Sequence, residues 1–141
     1  MKRKASAAWQ GGLKDGKGTI STGSGVLSET QYSFSTRFED GIGTNPEELI
    51  AAAHAGCFTM ALSGQLAGVG LTAENIATTA TVTIEKTDAG FTVTEVHLDV
   101  TARIPGADPS KFAEAANNAK AGCPISRLLK ANITMEAKLE E

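Results

Sequence analysis

The reactive residues of this chain are two cysteines far apart in sequence, Cys57 and Cys123. They form no Cys-x-x-Cys pair, which argues against a thioredoxin-type exchange site. Cys57 lies inside "NPEELIAAAHAGCFTM", Asn45 to Met60, a run of small and apolar residues that reads as one helix. A cysteine there is ordinarily a small hydrophobe, and burial alone would raise its pKa and leave it inert. It becomes a nucleophile only beside a cationic partner. Arg37 is one candidate, and His54, three residues earlier on the same side of the helix, is another. Cys123 precedes Pro124, which suits a first helical position, so Cys123 is expected at the N-cap of a short helix. Unpaired N–H groups and the helix dipole favour thiolate there. If the two cysteines meet in space, one thiol attacks and the other resolves.

Two bland alternatives stand beside that chemistry. Both cysteines could be packing residues of a non-enzymatic, stress-related binding module. His54, Cys57, His97 and Cys123 could instead form a tetrahedral zinc site. His97 sits between Val96 and Leu98 in a strand and is expected on the solvent side, which weakens the zinc set.

The elements that must position these residues follow from local signals. "KASAAWQGG" and "GKGTISTGSG" alternate loosely and are broken by glycine, as hairpins are. Tyr32 to Phe38 reads as a strand, with Tyr32, Phe34, Thr36 and Phe38 on one face and Arg37 on the other. Asn45 caps a helix that has Pro46 first, Glu47 and Glu48 in its first turn, and a stop near Ala67 at Gly68-Val69-Gly70. Its apolar stripe is expected along Leu49, Ile50, Ala53, Cys57, Met60 and Ala61. Two strands follow around a "TDAG" turn, with Ala80, Val82 and Ile84 alternating in the first and Val96, Leu98, Val100 and Ala102 in the second. Their phase slips near Thr94–Glu95, which predicts a bulge. Asp108 caps a second helix closed by Gly122; "CPISRLLKAN" is a short third; "ITMEAKLEE" is a last strand. The order predicts an α+β fold, long helices covering a largely antiparallel sheet, in one domain over residues 1–141.

Composition sets the frame. Of 141 residues, 41% are hydrophobic and 21% charged, enough to build a core without staples. The formal charge of −3 gives no basic face for nucleic acid or an anionic membrane. No stretch reads as a membrane span, and the basic Met1-Lys2-Arg3-Lys4 is followed by no apolar run, so no secretory signal is expected and the cytoplasm is the default compartment. Thiols there are reduced, and a disulfide would be transient.

The combination of "FSTRF", "GTNPEELIAAAHAGCFTMAL" and "AKAGCPISRLL" resembles the OsmC/Ohr family, the osmotically inducible protein C and organic hydroperoxide resistance proteins. The resemblance covers essentially the whole chain, and "AAAHAGCF" with "CPIS" is nearer the OsmC branch. It implies a thiol peroxidase that prefers organic hydroperoxides, needs no metal or cofactor, and is recharged by an external dithiol of the lipoyl type. It implies Cys57 as the peroxidatic nucleophile, Cys123 as the resolving thiol, Arg37 as the thiolate's helper and Glu47 as the partner of Arg37. It also implies an intertwined homodimer with active sites at the subunit interface. Helical geometry adds an expectation of its own. Ten residues on one unbroken helix separate Glu47 from Cys57 by roughly 15 Å, too far to share one compact site. Either the helix breaks between them, or Glu47, and Arg37 with it, acts across a dimer interface; the second is expected, because no breaker lies between Glu48 and Ala55.

Overall fold

Glycine punctuation shapes the first unit, Met1–Leu49, of a computed structural model that describes residues 1–140. Strand β1 (Ala5–Gln10) pairs antiparallel with β2 (Lys17–Thr22), and β2 with β3 (Thr30–Tyr32). Gly18 on β2 lies under the tilted rings of Trp9 and Tyr32, whose centroids are 5.5 Å apart; a Cβ at this position would run into both.

The expected strand from Tyr32 to Phe38 is not formed. It ends at Tyr32, and Phe34–Phe38 is a short helix, α1. The cause is local. Ser33 is extended and its Oγ accepts the Thr36 N–H at 3.2 Å, while Thr36 Oγ1 accepts the Ser33 N–H at 2.8 Å. This reciprocal capping box satisfies donors that a ladder would otherwise need. It also turns an alternation into an i,i+4 pair, with the Phe34 and Phe38 rings 5.0 Å apart.

Helix α2 (Pro46–Ala67) opens as its sequence predicts. Asn45 Oδ1 accepts the Glu48 N–H at 2.7 Å. The same amide donates from Nδ2 to the Thr36 carbonyl at 2.9 Å, which ties the first turn of α2 to α1.

The second unit, Ile50–Glu141, holds the rest of α2 and a three-stranded sheet. Strand β4 (Asn75–Thr87) turns at Asp88–Ala89 into β5 (Gly90–Arg103), antiparallel to it. Thr83 faces Glu95 and Ile84 faces Val93, so Thr94 is the extra residue of a bulge, where the hydrophobic phase slips. Helix α3 (Pro109–Gly122), capped by Asp108, and the five-residue α4 (Pro124–Leu128) then lead to β6 (Asn132–Glu140). Because helices intervene, β6 pairs parallel to β5 and leaves β5 central.

The core of this unit joins Val96, Leu98, Val100 and Ala102 of β5, Phe112, Ala115, Ala116 and Ala119 of α3, and Phe58, Leu62 and Leu66 of α2. The buried stripe of α2 is thus His54, Phe58, Leu62 and Leu66, one residue per turn, and not the expected line through Ala53 and Met60, which are exposed. So many alanines leave the sequence nearly featureless around the helix, and the four bulkier side chains decide which face turns inward. Contrary to the expectation that no stretch reaches a membrane span, α2 has 22 residues and a mean hydropathy of 1.3 in its best window. Length and composition alone give it that property, and its own stripe packs in the protein core.

Candidate active site

Each unit assembles one pair of the expected residues. In the first, Arg37 on α1 donates from Nε to Glu47 Oε1 at 2.9 Å and from Nη2 to Oε2 at 3.0 Å. The fork of the guanidinium thus meets both oxygens of a carboxylate on the first turn of α2. The Asn45–Thr36 link fixes the two helices so that this pair can form. Arg37 also lies 5.3 Å over the Phe38 ring. It lines a cavity of about 280 Å³ with Trp9, Leu13, Tyr32, Phe34 and Phe38. The pocket is mostly aromatic, with one permanent positive charge on its wall.

In the second unit, Cys57 on α2 and Cys123 at the start of α4 lie near each other and shift each other's titration, although the chain separates them widely. Both are free thiols; Cys123 is buried and Cys57 partly so. Burial pushes the Cys57 thiol up, the Ile125 N–H opposes this, and the Cys123 thiol adds to the rise. Burial also pushes Cys123 up, but hydrogen bonds from Ser126 side chain and backbone, from Cys57 and from the Ile125 amide carry it below its ordinary value. As the sequence predicts, Cys123 is the N-cap of α4, with Sγ accepting the Ser126 N–H at 3.4 Å. Five residues make a weak dipole, so these hydrogen bonds account for the lowering.

His54 faces the core. It is fully buried, and its Nε2 is 2.7 Å from Ser126 Oγ, which in turn is 3.3 Å from Cys123 Sγ. The sequence reading missed Ser126; its signal was the spacing Cys-x-x-Ser from a cap residue to the third helical position. The zinc set does not assemble. His97 projects from the opposite face of β5 to Val96 and Leu98, bonds Thr134 Oγ1 through Nδ1 at 2.6 Å, and neighbours Asp99 and Glu136.

A pair of neighbouring free thiols, one of them held low by donors, defines a protein built for thiol–disulfide redox chemistry. Comparison with known proteins agrees. The family described as OsmC-like protein matches residues 39–138, and the chain belongs to it. It is 52% identical over 138 residues to the peroxiredoxin OsmC of Escherichia coli K12, covering 98% of this chain and 96% of that one; the protein of the same name from Shigella flexneri matches equally. Among solved structures, the organic hydroperoxide resistance protein OhrB of Bacillus subtilis is 25% identical with a TM-score of 0.68, covering 97% of this chain and 98% of its own. An OsmC-like protein of unknown function from Vibrio cholerae, 17% identical with a TM-score of 0.77, shares the fold over 97% of this chain.

Proposed function

We propose that the protein is a thiol peroxidase for organic hydroperoxides in which Cys57 attacks and Cys123 resolves. The observation that carries this is the proximity of two free thiols from distant parts of the chain. The Cys57 thiolate attacks the distal peroxide oxygen; the O–O bond breaks, the alkoxide leaves and takes up the proton the thiol released, and Cys57 becomes a sulfenic acid. Cys123 then displaces hydroxide from that sulfur and forms the disulfide. An external dithiol, of the lipoyl type, returns both cysteines to thiols by exchange. Reduced thiols at rest suit the cytoplasm.

Arg37 supplies the cation that Cys57 needs, and Glu47 orients it. Support for this comes from the bidentate pair and from the aromatic cavity beside Arg37, which suits the alkyl part of an organic peroxide. Helix α2 runs unbroken from Pro46 to Ala67, so its first turn and Cys57 stand roughly 15 Å apart along the axis. The Arg37–Glu47 pair of one copy therefore serves the Cys57 of a second, in a homodimer with two shared sites.

The test is steady-state hydroperoxide consumption with a dithiol reductant. Cys57→Ser loses activity, and Cys123→Ser completes about one turnover and stops with trappable sulfenic acid. Consumption by Cys57→Ser at the wild-type rate would refute the assignment.

A further inference from the structure

Ser126 and His54 take no part in the chemistry above, yet they form a chain of hydrogen bonds that ends on a reacting sulfur. We propose that His54 and Ser126 hold the resolving thiol as thiolate: His54 donates from Nε2 to Ser126 Oγ, and Ser126 directs its hydroxyl proton at Cys123 Sγ. Ser126 contacts the reacting atom; His54 is a positioning residue that acts through it. The inference rests on Cys123 being the resolving cysteine.

The direction of the chain follows from an orphan. His54 is fully buried, its Nε2 is 2.7 Å from Ser126 Oγ, and its Nδ1 has no partner among the described residues. Burial also lowers the pKa of His54, so it stays neutral and carries one ring proton. If that proton sat on Nδ1, a buried N–H would be left without an acceptor, which native proteins rarely allow. With the proton on Nε2, the orphan is a bare lone pair, and Ser126 Oγ accepts from His54. In the thiol form Cys123 Sγ donates to Ser126 Oγ at 3.3 Å; once ionised the sulfur can only accept, and the serine, whose oxygen already accepts from His54, turns its own hydroxyl proton to it. The Ser126 N–H reaches the same sulfur at 3.4 Å. Two donors from one residue thus converge on Cys123, a pattern that favours the charged form. Within this unit, Cys57 and Cys123 are the titratable groups that bear on each other, and among the described residues no carboxylate, ammonium or guanidinium contributes to the shift of either thiol or of His54.

The consequence falls on the second half of the reaction. The Cys123 thiolate attacks the sulfur of the Cys57 sulfenic acid; the S–S bond forms, the S–O bond breaks, and hydroxide leaves. Hydroxide takes up the proton that Cys123 released on ionising, and water is the product. Cys123 sulfur is oxidised and Cys57 sulfur reduced, with no further reagent. Prompt resolution keeps Cys57 from the irreversible sulfinic state.

The experiment is alkylation of the reduced full-length protein across pH, resolved at the Cys123 peptide by mass spectrometry. Ser126→Ala keeps the backbone N–H but removes the hydroxyl, and raises the Cys123 midpoint by about one unit, tenfold in thiolate at neutral pH. His54→Leu does the same, whereas His54→Gln, which can still donate to Ser126, stays with the wild type. A Ser126→Ala midpoint equal to the wild type's overturns the relay, even if His54→Leu fails to fold. So does a His54→Gln midpoint shifted as far as that of His54→Leu. Hydroperoxide consumption by the wild type is measured alongside. Its absence would overturn the peroxidase assignment alone, since alkylation reads the relay without peroxide.

Discussion

At Cys57 the forces run against reactivity inside its own unit. Burial pushes the thiol up, one amide opposes it, and among the described residues of the unit no cationic side chain offsets the rest. A peroxidatic thiol needs the reverse, because only the thiolate attacks. Arg37 can supply the charge and cannot lose its proton. Arg37→Met is therefore expected to raise the alkylation midpoint of Cys57 by at least about one unit, since a nearby cation lowers a thiol's pKa and its removal restores the burial penalty. Arg37→Lys should recover only part of the effect, because a single ammonium cannot meet both oxygens of Glu47. Rapid alkylation of Cys57 in Arg37→Met at wild-type pH would show that the cation comes from elsewhere. Both cysteines, the arginine and the glutamate are visible in the sequence as residue types. Ser126 shows there only as the third residue after a cysteine cap; its bond to His54 joins residues 72 apart, and no local pattern encodes that.

Among the elements, the caps and turns were legible and the faces were not. Asn45, Asp108 and Cys123 cap the helices they were expected to cap, and the bulge falls at Thr94. Each signal is complete within four or five residues. The segment Phe34–Phe38 defeats the same method: its alternation suits a strand, but the Ser33–Thr36 box turns it into a helix and carries Arg37 with it. The inward face of α2 was misread because alanine and glycine pack on any side, and only the core shared with β5 and α3 selects Phe58, Leu62 and Leu66, with His54 held at Ser126 of α4. The parallel pairing of β6 also depends on a crossover that no local pattern encodes. Asn45 is the element-scale control on the site, since it caps α2 and holds α1 at once. Asn45→Ala is expected to cost about 1–2 kcal/mol in urea unfolding and to weaken activity through the loosened Arg37–Glu47 pair. Unchanged stability and activity would remove Asn45 from this role.

Across the whole molecule, the proposed shared site makes assembly part of the chemistry. If Arg37 of one copy serves Cys57 of the other, two inactive variants complement each other. Arg37→Met subunits re-paired with Cys57→Ser subunits form mixed dimers with one intact site, and statistical mixing restores about a quarter of wild-type activity. No recovery would mean that each chain builds its own site. The central claim is simpler and concerns the two sulfurs alone. It is tested most directly by intact mass of the reduced wild-type protein before and after one equivalent of an organic hydroperoxide. The account predicts a loss of two hydrogens per chain, as Cys57 and Cys123 join, with the mass restored by a dithiol. An unchanged mass, or oxygen added to Cys57 without a disulfide, would contradict it.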